Sequence, residues 1–327
     1  MQQLILIGAS AGGVGALTSI TSALPADLPA TVLIVMHIGA HRSLLPEILQ
    51  KLCPLPVKHA EDSAPLLPGE VLIAPPDRHL TVEQHQGRPH ARLWHGPKEN
   101  HTRPAIDPLF RSAAAACDGH VIAVILTGYL DDGTAGLYAV KACGGRAIVQ
   151  DPQDAHAPDM PASALSYVEV DYILPLREIG PMLARLAQRP PPPDDGKPQA
   201  PAWIEDENRY ARGDTSVDRI EHIGTPSGYT CPECSGALWK VDGGGPPRFR
   251  CHTGHGFTVR TLSALQEQAV EAALWSSLRA LQEQLRMEQE MLQEARRRGE
   301  AEAENTHRHS VQKLQGDIET LRRLLSR

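Results

Sequence analysis

The sequence predicts an α/β fold with a doubly wound, mostly parallel sheet, because two patterns alternate along its first half. Short apolar runs at residues 4–7, 31–36 and 121–126 are typical of strands buried on both faces of a parallel sheet. Segments of helical character follow them, among them residues 107–117 and 133–142. Strands that alternate with helices form βαβ units, in which helices cover both faces of the sheet.

Shorter elements complete this predicted domain. Residues 71–74 and 79–83 are predicted to form an antiparallel hairpin around Pro75-Pro76-Asp77, and residues 91–95 to add a further antiparallel strand. Two later strands are predicted at residues 147–150 and 172–174. Further helices are predicted to run to Leu24 after the first strand, and over residues 44–52 and 177–187.

Composition bounds the class of protein. A chain of 327 residues corresponds to about two domains. The net charge of −7 gives no strong attraction to nucleic acid or to a membrane surface. No apolar run reaches transmembrane length, and the chain opens on its first strand without a charged leader. We therefore expect a cytoplasmic protein that neither binds nucleic acid nor inserts into a membrane.

Composition also changes along the chain, and the changes predict four segments. Residues 1–188 form the α/β domain, and the proline-rich residues 189–202 form an extended linker. Residues 203–260 contain a small module rich in glycine and cysteine, and residues 261–327 are helical. Leucine stripes along this last segment fit either a helical hairpin or a dimerising coiled coil, through which the chain would form a homodimer or bind a signalling partner. The stripes comprise Leu274, Leu278, Leu281, Leu285 and Leu292, and then Leu314, Ile318, Leu321 and Leu325.

The turn after the first strand carries a serine among glycines. Ser10 is predicted to lie between the strand and the next helix, where unpaired helix N–H groups could hold an oxyanion beside a nucleophile. Two other interpretations of this turn stay open at this point. Ser10 could be a helix N-cap, or the turn could bind a phosphate or dinucleotide. The dinucleotide reading is disfavoured, because Val14 interrupts the glycine pattern and His37 stands where an acidic residue would hold a ribose.

A histidine and two aspartates follow other strands of the same predicted sheet. His37 comes directly after the second strand, and Asp131 and Asp132 follow the strand at residues 121–126. Taken alone, His37 is a loop histidine and Asp132 a helix N-cap. Because parallel strands end at one edge of a sheet, Ser10, His37 and one aspartate are predicted to meet as a nucleophile, a base and an orienting acid. Their order along the chain is not that of the α/β-hydrolases.

Five motifs in this order resemble the catalytic domain of chemotaxis protein-glutamate methylesterases of the CheB type, over residues 1–188. They are GASAGG around Ser10, VMH at His37, APPDRHL from Ala74, RPAIDPLFRSAA from Arg103 and LTGYLDDGTAG from Leu126. The resemblance implies a triad of Ser10, His37 and Asp132, with Asp131 outside it. It also implies hydrolysis of glutamate methyl esters on methyl-accepting chemoreceptors, with release of methanol, and deamidation of receptor glutamines in some members. No cofactor is implied for catalysis.

The chain departs from the family pattern near the predicted oxyanion site. Ala11 follows the serine where threonine is common, and Tyr129 and Leu130 replace the usual methionine and glycine. The oxyanion is assigned to backbone N–H groups of Gly12, Gly13 or Tyr129. The usual members of the family carry a phosphorylatable receiver domain before the catalytic one, and we expect that switch to be absent in cis here, because the sequence starts at the first catalytic strand. These features resemble a stand-alone subgroup with a cysteine-rich tail.

That tail predicts a structural zinc site of zinc-ribbon type. Cys231 and Cys234 form a C-x-x-C knuckle, and Cys251 and His255 follow a glycine-rich turn. Three thiolates and one imidazole make a closed tetrahedral site, for which His252 is a competing fourth ligand. The alternative is a metal-free loop, which is disfavoured because so small a module lacks a core of its own. A catalytically weak signalling scaffold that acts through this module and the helices is the second hypothesis for function.

Overall fold

The computed structural model describes residues 3–117, 119–188, 200–213 and 217–326, with side chains from residue 220 onward in the last range. Most of the predicted linker, residues 189–199, lies outside the described residues. The chain divides into two compact units, Met1–Leu262 and Ser263–Arg327. Within the described ranges, no helix combines the length and the apolar character that crossing a membrane requires.

The first part of the larger unit alternates strands and helices, as the apolar runs predict. The elements of residues 3–188 are β1 (Gln3–Ala9), α1 (Gly13–Ser22), β2 (Ala30–Met36), α2 (Leu45–Gln50), β3 (Val57–His59), β4 (Val71–Ile73), β5 (His79–His85), β6 (Arg88–Trp94), α3 (Ile106–Ala116), β7 (Val121–Ile125), α4 (Thr134–Ala142), β8 (Arg146–Gln150), α5 (Asp159–Tyr167), β9 (Tyr172–Leu174) and α6 (Leu176–Ala187). Among the described residues, seven strands form one parallel sheet in the order β3-β4-β2-β1-β7-β8-β9.

Side chains of the central strands alternate between two cores, one on each face of the sheet. In β1, Leu4 and Leu6 pack with α3 and α4, whereas Ile5 and Ile7 pack with α1 and α6. All four side chains are inaccessible to solvent. A wholly apolar strand is stable only where both faces are covered, so this arrangement confirms the predicted doubly wound sheet.

The antiparallel hairpin lies one strand later than the sequence analysis placed it. Residues 71–74 were expected to pair with residues 79–83, but β4 is a buried strand of the parallel sheet, between β2 and β3. The hairpin instead joins β5 to β6, and its two-residue turn at Gln86 and Gly87 has φ of 50° and 75°. Two consecutive positive φ angles are typical of the tight turns that connect hairpin strands. Val71–Ile73 is wholly apolar and buried, which is typical of a strand covered on both faces and explains its place in the parallel sheet.

In the described residues after 188, the larger unit adds two helices and a small antiparallel sheet, followed by the start of a long helix. These elements are α7 (Ala202–Ala211), α8 (Val217–Ile223), β10 (Gly224–Thr230), β11 (Ala237–Val241), β12 (Arg248–Cys251) and β13 (Gly256–Thr258). The four strands pair in chain order. We call residues 224–258 the cysteine module. Buried ion pairs link it to α7, where Glu207 contacts Arg248 and Arg250 of the module and also Arg111 of α3, at 3.0–3.5 Å.

The smaller unit is a helical hairpin. Helix α9 (Val259–Arg298) begins in the larger unit and continues through the smaller one, where α10 (Ala301–Leu325) follows a break at Gly299. The φ of Gly299 is 71°, which suits glycine at a helix C-terminus. Buried side chains at the leucine stripes include Leu278, Leu292, Leu314 and Ile318. Nδ1 of His307 on α10 lies 2.7 Å from a carboxylate oxygen of Glu288 on α9, so the two helices run back along each other.

Candidate active site

Ser10 lies in a tight turn between β1 and α1. The Ser10 N–H donates to the carbonyl of Thr127, which ties the turn to the end of β7 (2.9 Å). Gly12 has a φ of 77°, and a Cβ there would lie 2.8 Å from the Cβ of His156. A glycine is therefore required at position 12 both by the backbone and by the space.

The parallel register brings His37 beside this serine. Ala9 pairs with Met36, so the next residues on both strands leave the sheet together. Nδ1 of His37 lies 3.1 Å from Oγ of Ser10, and Nε2 lies 2.8 Å from Oδ2 of Asp132. When Nε2 carries the proton and donates it to Asp132, Nδ1 can accept the proton of the serine hydroxyl. The structure thus brings together the three side chains that the sequence places at strand ends.

Asp132 is buried and is held by several donors besides His37. The N–H of Ile106, at the start of α3, donates to Oδ2 (2.7 Å), and Oδ1 accepts from the Gly133 N–H (3.0 Å) and from Nδ2 of Asn100 (2.9 Å). Burial acts to raise the pKa of Asp132, but the hydrogen bond and charge of His37 and these further donors outweigh it and lower that pKa. The carboxylate is therefore stabilised in its charged form.

A second carboxyl group, on Asp107, lies close to Asp132. Its Oδ2 accepts the other N–H of the Asn100 amide (2.9 Å), and its Oδ1 accepts from the Gly136 N–H (2.6 Å). Burial, followed by the charge of Asp132, raises the pKa of Asp107 well above its ordinary value. The surroundings therefore act on the two acids in opposite directions, lowering the pKa of Asp132 and raising the pKa of Asp107. Neither Asn100 nor this role of Asp107 was found from the sequence, because neither forms a motif whose spacing indicates a contact with Asp132.

The neighbouring aspartate, Asp131, lies outside the chain of hydrogen bonds from Ser10 through His37 to Asp132, which we call the relay. Asp131 is 1% exposed, and its Oδ1 accepts from the hydroxyls of Thr258 (2.7 Å) and Thr261 (3.1 Å). Burial raises the pKa of this carboxyl. Of the two adjacent aspartates, only Asp132 contacts His37.

The three residues assigned to the oxyanion lie around Ser10 in different ways. The Gly13 N–H donates to the carbonyl of Ser10 (2.8 Å) and is thereby used in the turn. Gly12 precedes it in the same turn. Tyr129 follows Gly128, where a Cβ would lie 2.8 Å from the Cβ of Ser10. The backbone of Gly128, the residue before Tyr129, thus passes directly beside the serine.

Four donor atoms cluster in the cysteine module. The ligand atoms of Cys231, Cys234, Cys251 and His255 all lie within 4.8 Å of one another. The Sγ atoms of Cys234 and Cys251 are 3.7 Å apart, and Nδ1 of His255 lies 3.5 Å from Sγ of Cys251 and 3.8 Å from Sγ of Cys231.

These separations fit a tetrahedral metal site. Zinc bonds of about 2.3 Å to sulfur and about 2.0–2.1 Å to nitrogen imply tetrahedron edges of about 3.8 Å between sulfurs and about 3.6 Å between sulfur and nitrogen. Oγ1 of Thr253 lies 3.1 Å from Sγ of Cys251 and can support this thiolate. The ring of His252, the competing ligand, packs against Trp239 with centroids 4.2 Å apart and lies outside the cluster.

Comparison with known proteins assigns the region that holds the relay. The family model described as CheB methylesterase matches residues 5–183. A Leptospira interrogans protein named as a protein-glutamate methylesterase/protein-glutamine glutaminase is 40% identical over 187 residues, covering 57% of this chain and 95% of the relative. Protein-glutamate methylesterase/protein-glutamine glutaminase 5 of Anaeromyxobacter dehalogenans is 36% identical over 57% of this chain. The matched segment spans about half of that relative's length, 52%.

A solved structure matches the same region. The crystal structure of the Thermotoga maritima CheB methylesterase catalytic domain aligns with a TM-score of 0.55 and 36% sequence identity. The alignment covers 57% of this chain and 99% of that domain. The cysteine module lies beyond the last residue that the family model matches.

Proposed function

Because this chain belongs to the CheB methylesterase family, we propose that it hydrolyses glutamate methyl esters on methyl-accepting chemoreceptors. The observation that carries this proposal is the relay of hydrogen bonds from Ser10 through His37 to Asp132. A charged, buried carboxylate at its end is what a serine esterase needs to stabilise an imidazolium. A signalling scaffold without catalysis would not need all three groups in contact.

The reaction proceeds through an acyl-enzyme. Oγ of Ser10 attacks the side-chain carbonyl carbon of the methyl ester while Nδ1 of His37 takes the hydroxyl proton. The tetrahedral intermediate collapses, the proton passes from His37 to the methoxide oxygen, and methanol leaves. Asp132 keeps the imidazole in the required tautomer and stabilises its charged form.

Water completes the cycle. It attacks the acyl-enzyme carbonyl as His37 removes a proton, and collapse of the second tetrahedral intermediate returns that proton to Ser10 and releases the product acid, which loses its remaining proton to solvent and becomes the glutamate carboxylate. We assign the developing oxyanion to the N–H groups of Gly12 and Tyr129, since that of Gly13 is bonded within the turn.

Glutamine deamidation would use the same acyl-enzyme. The names of the relatives include protein-glutamine glutaminase, and an amide differs from a methyl ester only in its leaving group. His37 would protonate the departing nitrogen so that ammonia leaves. Receptor glutamines are therefore our second proposed substrate class.

The donor set and its separations support zinc as a structural ion at Cys231, Cys234, Cys251 and His255. Four protein ligands close the coordination sphere and leave no position for a substrate. When bound, the ion cross-links two loops of a small sheet. The esterase chemistry itself needs no metal.

The experiment that tests the proposed activity compares two serine variants. We expect Ser10→Ala to lose methanol release from methylated receptor preparations on the order of a thousandfold or more. Ser19→Ala, at an exposed serine on α1, should keep full activity. A fluorophosphonate should add one label to the wild-type chain, at Ser10. Full activity of Ser10→Ala would remove this residue from the mechanism.

A further inference from the structure

The amide of Asn100 connects the cysteine module to the acid of the relay. Both of its N–H bonds point at carboxyl oxygens, one on Asp132 and one on Asp107, each at 2.9 Å. Its Oδ1 accepts the backbone N–H of Thr258 in β13 (3.0 Å). The Thr258 N–H thus fixes which end of the amide faces the carboxyl groups, because an amide turned by 180° would place two donors against each other.

The backbone of the same loop is also bonded to the module. The Asn100 N–H donates to the carbonyl of Gly256 (2.8 Å), and the Gly256 N–H donates to the carbonyl of Lys98 (3.2 Å). Glu99 and Gly256 form an isolated parallel bridge. Residues 98–100 are therefore held in place by their backbone contacts with β13.

Buried charges fix the contact between this loop and the module. Glu99 is 4% exposed, and its Oε1 lies 2.9 Å from Nη2 of Arg111 on α3 and 2.8 Å from Nη2 of Arg250 on β12. Separating the module would break the pair of Glu99 with Arg250 and leave Glu99 with Arg111 alone. Asp131 adds a second connection through its hydrogen bonds to Thr258 and Thr261.

The candidate metal ligand His255 immediately precedes Gly256. Its carbonyl accepts the Cys251 N–H (3.1 Å), and its imidazole belongs to the four-donor cluster. A bound ion would hold this imidazole against three thiolates from the two loops. The start of β13 would then be fixed by a coordinate bond one residue from the contacts with the Asn100 loop.

We propose that metal binding at Cys231, Cys234, Cys251 and His255 controls the reactivity of Ser10, with Asn100 as the positioning residue that transmits it. The metal holds β13, β13 holds the Asn100 amide, and this amide holds the Asp132 carboxylate toward His37. The inference rests on the serine-esterase chemistry proposed above. The inference makes the relay dependent on a metal site, although the three residues of the relay lie in the region that the family model matches and the metal site does not.

The test uses the rate at which a fluorophosphonate labels Ser10, which requires no receptor. We expect removal of zinc from the full chain with a chelator to slow labelling by on the order of 10- to 100-fold, as for loss of a hydrogen bond to a charged group. Adding Zn²⁺ back should restore the rate. His255→Ala should label slowly with or without Zn²⁺, and His255→Cys, which keeps four ligands, should retain both zinc and rate.

Asn100→Ala tests whether Asn100 transmits the effect of metal binding to Ser10, as opposed to a general loss of stability. In its zinc-loaded form this variant should label as slowly as the zinc-free wild type, and zinc removal should slow it no further. Ser227→Ala, on the opposite edge strand β10, should label normally. Thermal unfolding of every form identifies a variant that has lost its fold.

Hydrogen exchange gives a readout independent of activity. Zinc removal should speed exchange at the Asn100 N–H, which is bonded to Gly256, and leave the Ile5 N–H in β1 protected. An unchanged labelling rate after zinc removal, or additive effects of zinc removal and Asn100→Ala, would overturn the inference. Failure of the proposed substrate would appear differently, as normal Ser10 labelling without methanol release.

Discussion

At the scale of single residues, the carboxyl groups of Asp107 and Asp132 share one amide, that of Asn100. A low-dielectric site does not favour two adjacent charges, and Asp132 has the stronger set of donors, including His37 and the Ile106 N–H. The pKa of Asp107 is raised well above its ordinary value, by burial and then by the charge of Asp132. The lowered pKa of Asp132 fits it for stabilising an imidazolium, whereas Asp107 contacts the Asn100 amide and the Gly136 N–H and does not touch His37.

The raised pKa of Asp107 predicts that its contribution to the free energy of unfolding depends on pH. Unfolded aspartate has a pKa of about 3.9, and the folded pKa is raised, so between the two values only the folded chain retains the proton. The free energy of unfolding should therefore fall as pH rises through this window. Asp107→Asn cannot titrate. Denaturant unfolding from pH 4 to 8 should give a difference, wild type minus variant, that decreases with pH; a flat or rising difference would refute the assignment.

The glycine beside the serine makes a second prediction at this scale. A Cβ on Gly128 would lie 2.1 Å from Sδ of Met160 and 2.8 Å from Cβ of Ser10. Gly128→Ala should therefore displace the serine and lower kcat on the order of 100-fold. Gly15→Ala in α1 meets open space and should stabilise the chain by about 0.5–1 kcal/mol without loss of kcat. Equal kcat in the two variants would contradict the steric argument.

At the scale of elements, the sequence predicts those strands and helices whose environment follows from local pattern. The apolar runs at β1, β2 and β7 predict these strands correctly, because both faces of each strand are buried. Helix α7 was missed, since its burial depends on Glu207 meeting arginines from distant elements. Asn100 was missed for the same reason, because its partners on β13 come from a contact that no spacing reveals.

Helix α7 supplies a prediction about buried charge. Burial acts to raise the pKa of Glu207, but Arg248, Arg111 and Arg250 lower it to about 2. Glu207→Gln leaves these guanidinium groups short of negative charge and should lower the free energy of unfolding by about 3–5 kcal/mol. Glu205→Gln on the more exposed side of the helix should change it by about 0.5 kcal/mol or less. Urea denaturation measures the free energy of unfolding of both variants. Similar losses in the two variants would mean that the ion pairs of Glu207 contribute little to stability.

At the scale of the whole molecule, the chain consists of two compact units. The relay and the cysteine cluster belong to the larger unit. Leu278, Leu292, Leu314 and Ile318 of the leucine stripes are buried in the hairpin of α9 and α10, as expected for the predicted helical hairpin, and the other stripe residues are partly exposed. Each unit has its own buried apolar side chains, so each can lose stability through its own substitutions.

A substitution in the hairpin should therefore leave the esterase site intact. Leu314 is 7% exposed, and Leu314→Ala should create a cavity that destabilises the hairpin by about 2–5 kcal/mol. Leu324 is 46% exposed, and Leu324→Ala should cost far less. Circular dichroism during heating should show a lower melting temperature for the helical transition of Leu314→Ala, while fluorophosphonate labelling of Ser10 at 25 °C stays at the wild-type rate. A parallel fall in labelling would mean that the serine depends on the hairpin, because the substituted residue lies outside the unit that holds the relay.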